Sequence, residues 1–420
     1  MSRPRLRFDL APIRASRDFR ILYASRTITW LGTPATEVAL LVQARQLTRS
    51  ALAVGLLGAT ELIPLLVFAL YGGVLADRVD RRRMIRWCEA GLACCALLLV
   101  LNAAAQHPAV CPLYAVAAVM MALAALQRPS LDASVPRVVA KDQLTAAAAL
   151  MSGSQNIAMI AGTALGGLLA AHPGVQAVYA LDAASYAISL GFLARLRPLP
   201  APTREPAGEQ AHGREKGIRA VLHGLNYARR RPDLLGSYLA DLAAMTLAYP
   251  NALFPFIAAD LHASWAVGLM FAAPSAGAVA VTATGGWMSR VRRHGLAIAA
   301  AAAAWGLAVT GFAFAPDLAA ALAFLVLAGA ADMVSGIFRA TLWNQTIPDG
   351  LRGRLAGVEL ISYGVGPAAG QIRAGAVAGL TTPRFSLASG GLLCAAAAGV
   401  ICLALPAFRH YRPDQPAETS

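Results

Sequence analysis

Charge is what this chain has least of. Only 14% of its 420 residues are Asp, Glu, Lys or Arg, and 57% are hydrophobic, whereas a soluble chain carries about 25% charge. The six cysteines (Cys88, Cys94, Cys95, Cys111, Cys394, Cys402) include no Cys-x-x-Cys pair and sit in or beside apolar runs, so they read as small buried hydrophobes. The seven histidines fall in loops or at the ends of apolar runs, and no His/Cys/carboxylate group has metal-ligand spacing. No phosphate-binding loop and no nucleophile–His–carboxylate grouping is present. These absences argue against an enzyme and against an ATP-driven pump, and neither a cofactor nor a metal is expected. The basic first twenty residues lead into a full-length apolar run without a clear small-residue cleavage site, so no cleavable signal peptide is expected.

What is abundant is long apolar sequence. Runs of 18 or more residues recur from end to end, each long enough to cross a hydrocarbon core of about 30 Å. The pattern predicts an all-α membrane protein with twelve spans, at about 20–44, 51–76, 84–105, 109–130, 143–170, 174–195, 233–258, 264–289, 295–315, 318–341, 353–380 and 384–408. Spans must be helical because lipid offers the backbone no hydrogen-bond partners. Of the 36 Lys and Arg residues, 31 fall in alternate loops and the tails, counting Arg128 after span four and Arg339, Arg352 and Arg354 after span ten. Three (Arg45, Arg49, Arg384) fall on the other side, and Arg26 and Arg373 lie within spans. This asymmetry predicts cytoplasmic N- and C-termini in a multi-pass protein of a cell (inner or plasma) membrane. It also explains the net charge of +14 without a nucleic-acid partner. The arginine- and alanine-rich composition points to a bacterial source.

Residues 198–232 are the one clear internal boundary, a linker rich in Pro, Glu, Arg and Gly. Within it, 217–231 reads either as a short amphipathic helix, with Leu222 and Leu225 toward the membrane, or as ordinary solvated linker. The segments on either side, 1–197 and 233–420, repeat each other weakly. Gly72-Gly73 with its arginine cluster corresponds to Gly285-Gly286 with Arg290, Arg292 and Arg293, at an offset of 213; Pro136 corresponds to Pro348 at 212 and Arg128 to Arg339 at 211. Near-constant offsets predict two parallel six-helix halves.

Gly73-x-x-x-Asp77-Arg78-x-x-Arg81-Arg82 resembles the loop 2–3 signature of the major facilitator superfamily. Glu61-Leu62-Ile63-Pro64, Gly162-x-x-x-Gly166-Gly167, Leu181-Asp182-Ala183 and Ile347-Pro348-Asp349 are similar to its enterobactin-exporter and macrolide-efflux branch. The resemblance implies the major facilitator fold and proton-coupled export of a small amphiphilic molecule, a siderophore or a drug such as a macrolide, by alternating access. Proton-coupled uptake, or a transporter-like lipid-handling protein or receptor, stays open beside it. The expected partners are a small-molecule substrate, protons and the lipid bilayer, and a monomer is expected.

Several residues are candidates for mechanism. Gly73 permits a close approach of span two to span eleven. Asp77 suits the positive start of that helix, and Arg78, Arg81 and Arg82 can bridge to cytoplasmic carboxylates, which together makes a gate. Arg26, Trp30, Thr33 and Glu37 share one stripe of span one, at i, i+4, i+7 and i+11. Ionisable side chains within spans are costly unless they face protein or water. Glu37 and Glu61, with Asp241 and Asp332 in the second half, are therefore proton-coupling candidates, with a fixed ion pair as the alternative; Asp332 can pair with Arg339. Arg26, Trp30, Thr33, Asn156, Tyr249, Tyr363 and Arg373 are cavity candidates. Asp182 reads as structural, and Gly162 with Gly166 as a packing seam. Arg26 and Arg373 hint at an anionic or catecholate-like passenger unless protein carboxylates occupy them.

Overall fold

A computed structural model of the chain describes residues 10–76, 79–198, 226–227, 229–347 and 349–412, and the side chains of these except at 69–74, 76 and 349–363. Among the described residues there is no strand. The principal helices are α1 (Arg17–Thr48), α2 (Ala51–Ala76), α3 (Arg81–Ala104), α4 (Val110–Asp132), α5 (Leu144–Leu169), α6 (Val175–Ala194), α7 (Pro232–Leu247), α8 (Val267–Thr284), α9 (His294–Ala313), α10 (Leu318–Thr346), α11 (Asp349–Leu380) and α12 (Pro383–Ala404). Each corresponds to one predicted span. Among the described residues nine helical runs are apolar and long enough to cross a membrane, and one of them, Lys141–Ala194, contains both α5 and α6. The two spans outside this set, α1 and α11, are the longest at 32 residues each and carry charged side chains along their length.

Local chemistry sets the helix ends. Ser16 Oγ accepts from the Phe19 amide at 3.1 Å, Asp80 Oδ1 from Arg83 at 2.9 Å and Asp317 Oδ1 from Ala320 at 2.8 Å. Each satisfies one orphan donor of a first turn. Pro232 and Pro383 open α7 and α12, where no amide hydrogen is needed. α5 passes into α6 through Ala170–Gly174, where Gly174 has φ 132°, a conformation that favours glycine. Span seven is broken. α7 stops at Leu247, a single turn covers Asn251–Leu253, and a short helix Phe254–Asp260 completes the crossing. Pro250 and Pro255 lack the amide hydrogens that an unbroken helix would use there.

The chain forms two compact units, one of residues 1–47 and 63–206, the other of 48–62 and 207–420. The linker is therefore not the sole boundary, because the first part of α2 belongs with the second unit. In the first unit α1 lies on α5 where Gly162 and Gly166 meet Leu31 and Ala35; a Cβ on Gly166 would stand 2.6 Å from the Ala35 Cα. Gly162 and Gly166 are thus a packing seam, where absent side chains let backbones touch. In the second unit α2 meets α11 in the same way, with the position of a Gly55 Cβ 3.1 Å from the Gly375 Cα. Gly306 of α9 and Gly391 of α12 oppose each other directly. The C-terminal turn is tied down too: Phe408 is fully buried against Gly236 and Gly295, and the Tyr411 carbonyl accepts from the His294 amide at 3.1 Å.

The charge count places Arg339 in a loop, and the structure corrects this. Arg339 stands inside α10 and is 3% exposed. The helix runs on to Thr346 because the sequence between Arg339 and Ile347 is helix-permissive and its first glycine or proline is Pro348. Arg352 and Arg354 likewise lie on α11, and Arg128 on the last turns of α4. Most of the predicted amphipathic segment, 217–225 and 228, lies outside the described residues.

Candidate functional site

The polar residues of the first unit collect along the antiparallel contact of α1 and α6. The Ser25 and Ser189 hydroxyls are 2.7 Å apart, the Thr33 and Tyr186 hydroxyls 2.9 Å, Thr36 donates to Asp182 Oδ2 at 2.8 Å, and Tyr179 donates to Gln43 Oε1 at 2.7 Å. Asp182 has no exposed surface, and its other oxygen accepts from Ser185 at 3.3 Å. Gly32 lies opposite it on α1, where any Cβ would overlap the carboxylate. Asp182 is therefore built into the helix contact.

The outer edge of this seam carries the stripe read from the sequence. Arg26, Trp30 and Thr33 are half-buried, and Glu37 is exposed. The Arg26 guanidinium lies 4.9 Å from the Trp30 ring centroid, a cation–π pair. Glu37 has no hydrogen bond or ion pair among the described residues, and Asp182 lies within its electrostatic reach. Asn156 does not join this group. It is exposed on α5, and the hydroxyl of α5 that reaches α1 is Ser154, which meets Tyr23 Oη.

Glu89 is not among the residues that the sequence marks as candidates. This carboxylate lies eight residues beyond Arg81 on α3 and is 1% exposed. Gln127 of α4 donates to its Oε1 at 3.2 Å and to the Ile85 carbonyl at 3.4 Å. Its Oε2 has no hydrogen bond among the described residues, and Ser189 of α6 and Arg26 of α1 are its polar neighbours. Four helices thus converge on one acid. An acid among the apolar residues of a span demands a partner, but the sequence does not show which helices supply it.

In the second unit Arg339 pairs with Asp241 of α7, both buried, while Asp332 lies 3.9 Å from its other terminal nitrogen and is 44% exposed. The tie that the sequence gave to Asp332 thus falls mainly on Asp241. Around the pair, Trp343 stacks on Tyr238 at 4.9 Å and donates to Ser237 Oγ at 2.9 Å. Tyr249 packs against Gly370 where α7 crosses α11, and Asn251 donates to its hydroxyl at 2.8 Å. Arg373 directs both terminal nitrogens at the Ser386 carbonyl, each at 3.4 Å, which supplies the carbonyl partner its depth requires. Glu61 is half-buried on α2, three residues before Pro64.

At the loop between α2 and α3, Asp77 and Arg78 lie outside the described residues, as do the surroundings of Gly73 and the side chain of Tyr363. Arg81 and Arg82 are described, and each donates to a backbone carbonyl. Arg81 donates to the Ala133 carbonyl at 2.8 Å and Arg82 to the Ala194 carbonyl at 2.7 Å. Those are the C-terminal ends of α4 and α6, where orphan carbonyls and the negative end of the dipole attract a cation.

The sequence profile of a family described as "Transmembrane secretion effector" matches residues 8–417. The chain is 27% identical over 414 residues to the enterobactin exporter EntS of Escherichia coli K12, covering 98% of this chain and 97% of that one. It is 28% identical to EntS of Salmonella paratyphi A, covering 99% of each. Among solved structures, the nucleoside transporter NupG superposes with a TM-score of 0.73 at 15% identity, over 94% of this chain and 100% of that one. The peptide transporter POT in complex with sulfate superposes with a TM-score of 0.70 at 12% identity, over 95% and 96%. At such identities these two likenesses concern the fold alone.

Proposed function

This chain belongs to the transmembrane secretion effectors of the major facilitator superfamily, and from that premise we propose that it exports a small amphiphilic molecule by alternating access, driven by protons moving the other way. It is a multi-pass membrane transporter and not an enzyme. The observation that carries the reading is the stripe on α1, where an exposed carboxylate shares a helix face with an arginine stacked on tryptophan. Trp30 and Arg26 offer a passenger an aromatic face and a cation. Glu37 offers an acceptor for its hydrogen-bond donors. A proton arriving at Glu37 removes that acceptor's charge and weakens the passenger's hold, which is the competition that proton antiport needs. The enterobactin exporters among its relatives make a siderophore the first passenger to try, with macrolides second. The cytoplasmic gate is assigned to the loop 2–3 motif of Gly73, Asp77, Arg78, Arg81 and Arg82. Both termini lie in the cytoplasm, and one copy of the chain suffices.

One observation favours a second reading, proton-coupled uptake. Glu89 is an electrostatic neighbour of Arg26. A proton on Glu89 would free the guanidinium for an anionic passenger, so proton and passenger would bind together. Flux and binding in proteoliposomes at two pH values separate the two. Export predicts that acidification weakens substrate binding and that an inward proton gradient expels substrate. It also predicts that Glu37→Gln loses the gradient response while it still binds. Tighter binding in acid, with coupling lost in Glu89→Gln instead, replaces export by symport. A gradient response intact in both variants removes both acids from the coupling step.

A further inference from the structure

The first turns of α3 hold Arg81, Arg82, Arg83 and Arg86, and the helix divides them between two tasks. At 100° per residue, Arg81 falls on the side that bears the buried Ile85, Cys88, Leu92 and Leu99, and Arg82 on the flank of that side. From there they reach the ends of α4 and α6. Arg83 and Arg86 fall on the opposite side. Both are exposed, and their side chains make no hydrogen bond or ion pair among the described residues. Topology alone accounts for four positive charges at this end of the helix, but it does not arrange two of them around a cavity.

That cavity is a groove of about 580 Å³ lined by Arg83, Arg86, Trp87 and Ala90 of α3 and Leu190 of α6. Trp87 is 76% exposed at its rim. Above it the same face of α3 continues with Leu97, Leu98 and Leu101, exposed by 52%, 53% and 66%. From Trp87 to Leu97, at about 1.5 Å per residue, the helix rises about 15 Å, with Leu101 one turn further on. That is close to half of a hydrocarbon core of about 30 Å, or one leaflet. A pair of cations, an interfacial tryptophan and an apolar track of leaflet length thus stand in the order of a phospholipid's own parts.

We propose that this groove holds one anionic phospholipid, its phosphodiester between Arg83 and Arg86, its glycerol region beside Trp87 and an acyl chain along α3 toward Leu101. Charge complementarity selects the headgroup, because two cations without hydrogen-bond or ion-pair partners among the described residues stand at the foot of a face that lipid must cover. Arg83 and Arg86 act as the headgroup clamp, and Leu190 closes the groove from α6.

The test uses the full-length protein in mixed lipid–detergent micelles, with phosphatidylglycerol or phosphatidylcholine carrying a quencher high on the acyl chain. The Trp87 signal is the emission of the wild type minus that of Trp87→Phe, since the chain holds six tryptophans. The phosphatidylglycerol is expected to quench that signal at several-fold lower mole fraction than the phosphatidylcholine. In Arg83→Gln/Arg86→Gln the preference should vanish, and in Arg83→Lys/Arg86→Lys it should survive, which separates loss of charge from loss of fold. Equal quenching by the two lipids in the wild type overturns the proposal, as does a preference that the glutamine pair leaves intact. Loss of the preference in excess inorganic phosphate at constant ionic strength would assign the groove to free phosphate and equally overturn it.

Discussion

The Thr36 hydroxyl of α1 donates to the Asp182 carboxylate of α6 at 2.8 Å, across a contact from which Asp182 has no exposure to solvent. Gly32, one turn earlier on α1, leaves the space that Asp182 fills. A buried acceptor deprived of a donor bears its own desolvation cost, about 1–3 kcal/mol and more for a charged group. Thr36→Val, which keeps the shape and removes the donor, should lower stability by roughly that amount. Thr36→Ser should lower it less. Thermal unfolding of the purified protein measures both.

The pair Asp241–Arg339 makes a stronger prediction of the same kind. Arg339→Ala strands a buried carboxylate and should cost about 3–5 kcal/mol, as single breaks of buried pairs do. Joint replacement by Asp241→Asn and Arg339→Gln should recover a large part of that loss. Thermal or denaturant unfolding of Asp241→Asn, Arg339→Gln and their double completes the cycle, and simple additivity would deny the coupling.

The helix-end bonds of Arg81 and Arg82 predict a graded effect. Each is a charge placed at a helix C-terminus, worth about 0.3–1 kcal/mol. Arg81→Ala and Arg82→Ala should each destabilise by about that much, and lysine should restore part of it. Hydrogen exchange at the last turns of α4 and α6 reads the change locally, with faster exchange near Ala133 in the first variant and near Ala194 in the second.

Close helix contacts predict intolerance to even a methyl group. Gly166→Ala places a Cβ 2.6 Å from the Ala35 Cα, so α1 and α5 must part. Overpacking of this kind costs about 1–3 kcal/mol. Gly191→Ala is the control, since nothing lies within 4 Å of the added atom. A lowered unfolding temperature is expected in the first variant and an unchanged one in the second.

The polar seam and the buried acids were unequally legible in the sequence. The stripe from Arg26 to Glu37 could be read because it lies on one helix, where spacing alone fixes the face. Gly162 and Gly166 could be read as a seam for the same reason. Glu89 was hidden, because its partners Gln127, Ser189 and Arg26 come from three other helices and no spacing along the chain brings them together. Arg339 is harder to place, because charge in a span is ordinarily a sign of its end, and the buried carboxylate that pairs with it, Asp241, comes from nearly a hundred residues earlier. A close contact of α2 with α11 lies at Gly55 and Gly375, small residues without any charge to draw the eye.

The sequence by itself determined that this chain is a helical membrane protein with spans at these places, because the hydrocarbon core imposes a length, an apolar composition and a backbone pairing that local sequence must satisfy. It also marked which spans carry charge. The tertiary structure alone decided which charge meets which partner. Burial of an ion is settled by the groups within a few ångströms, and in a bundle those groups arrive from helices far apart in the chain.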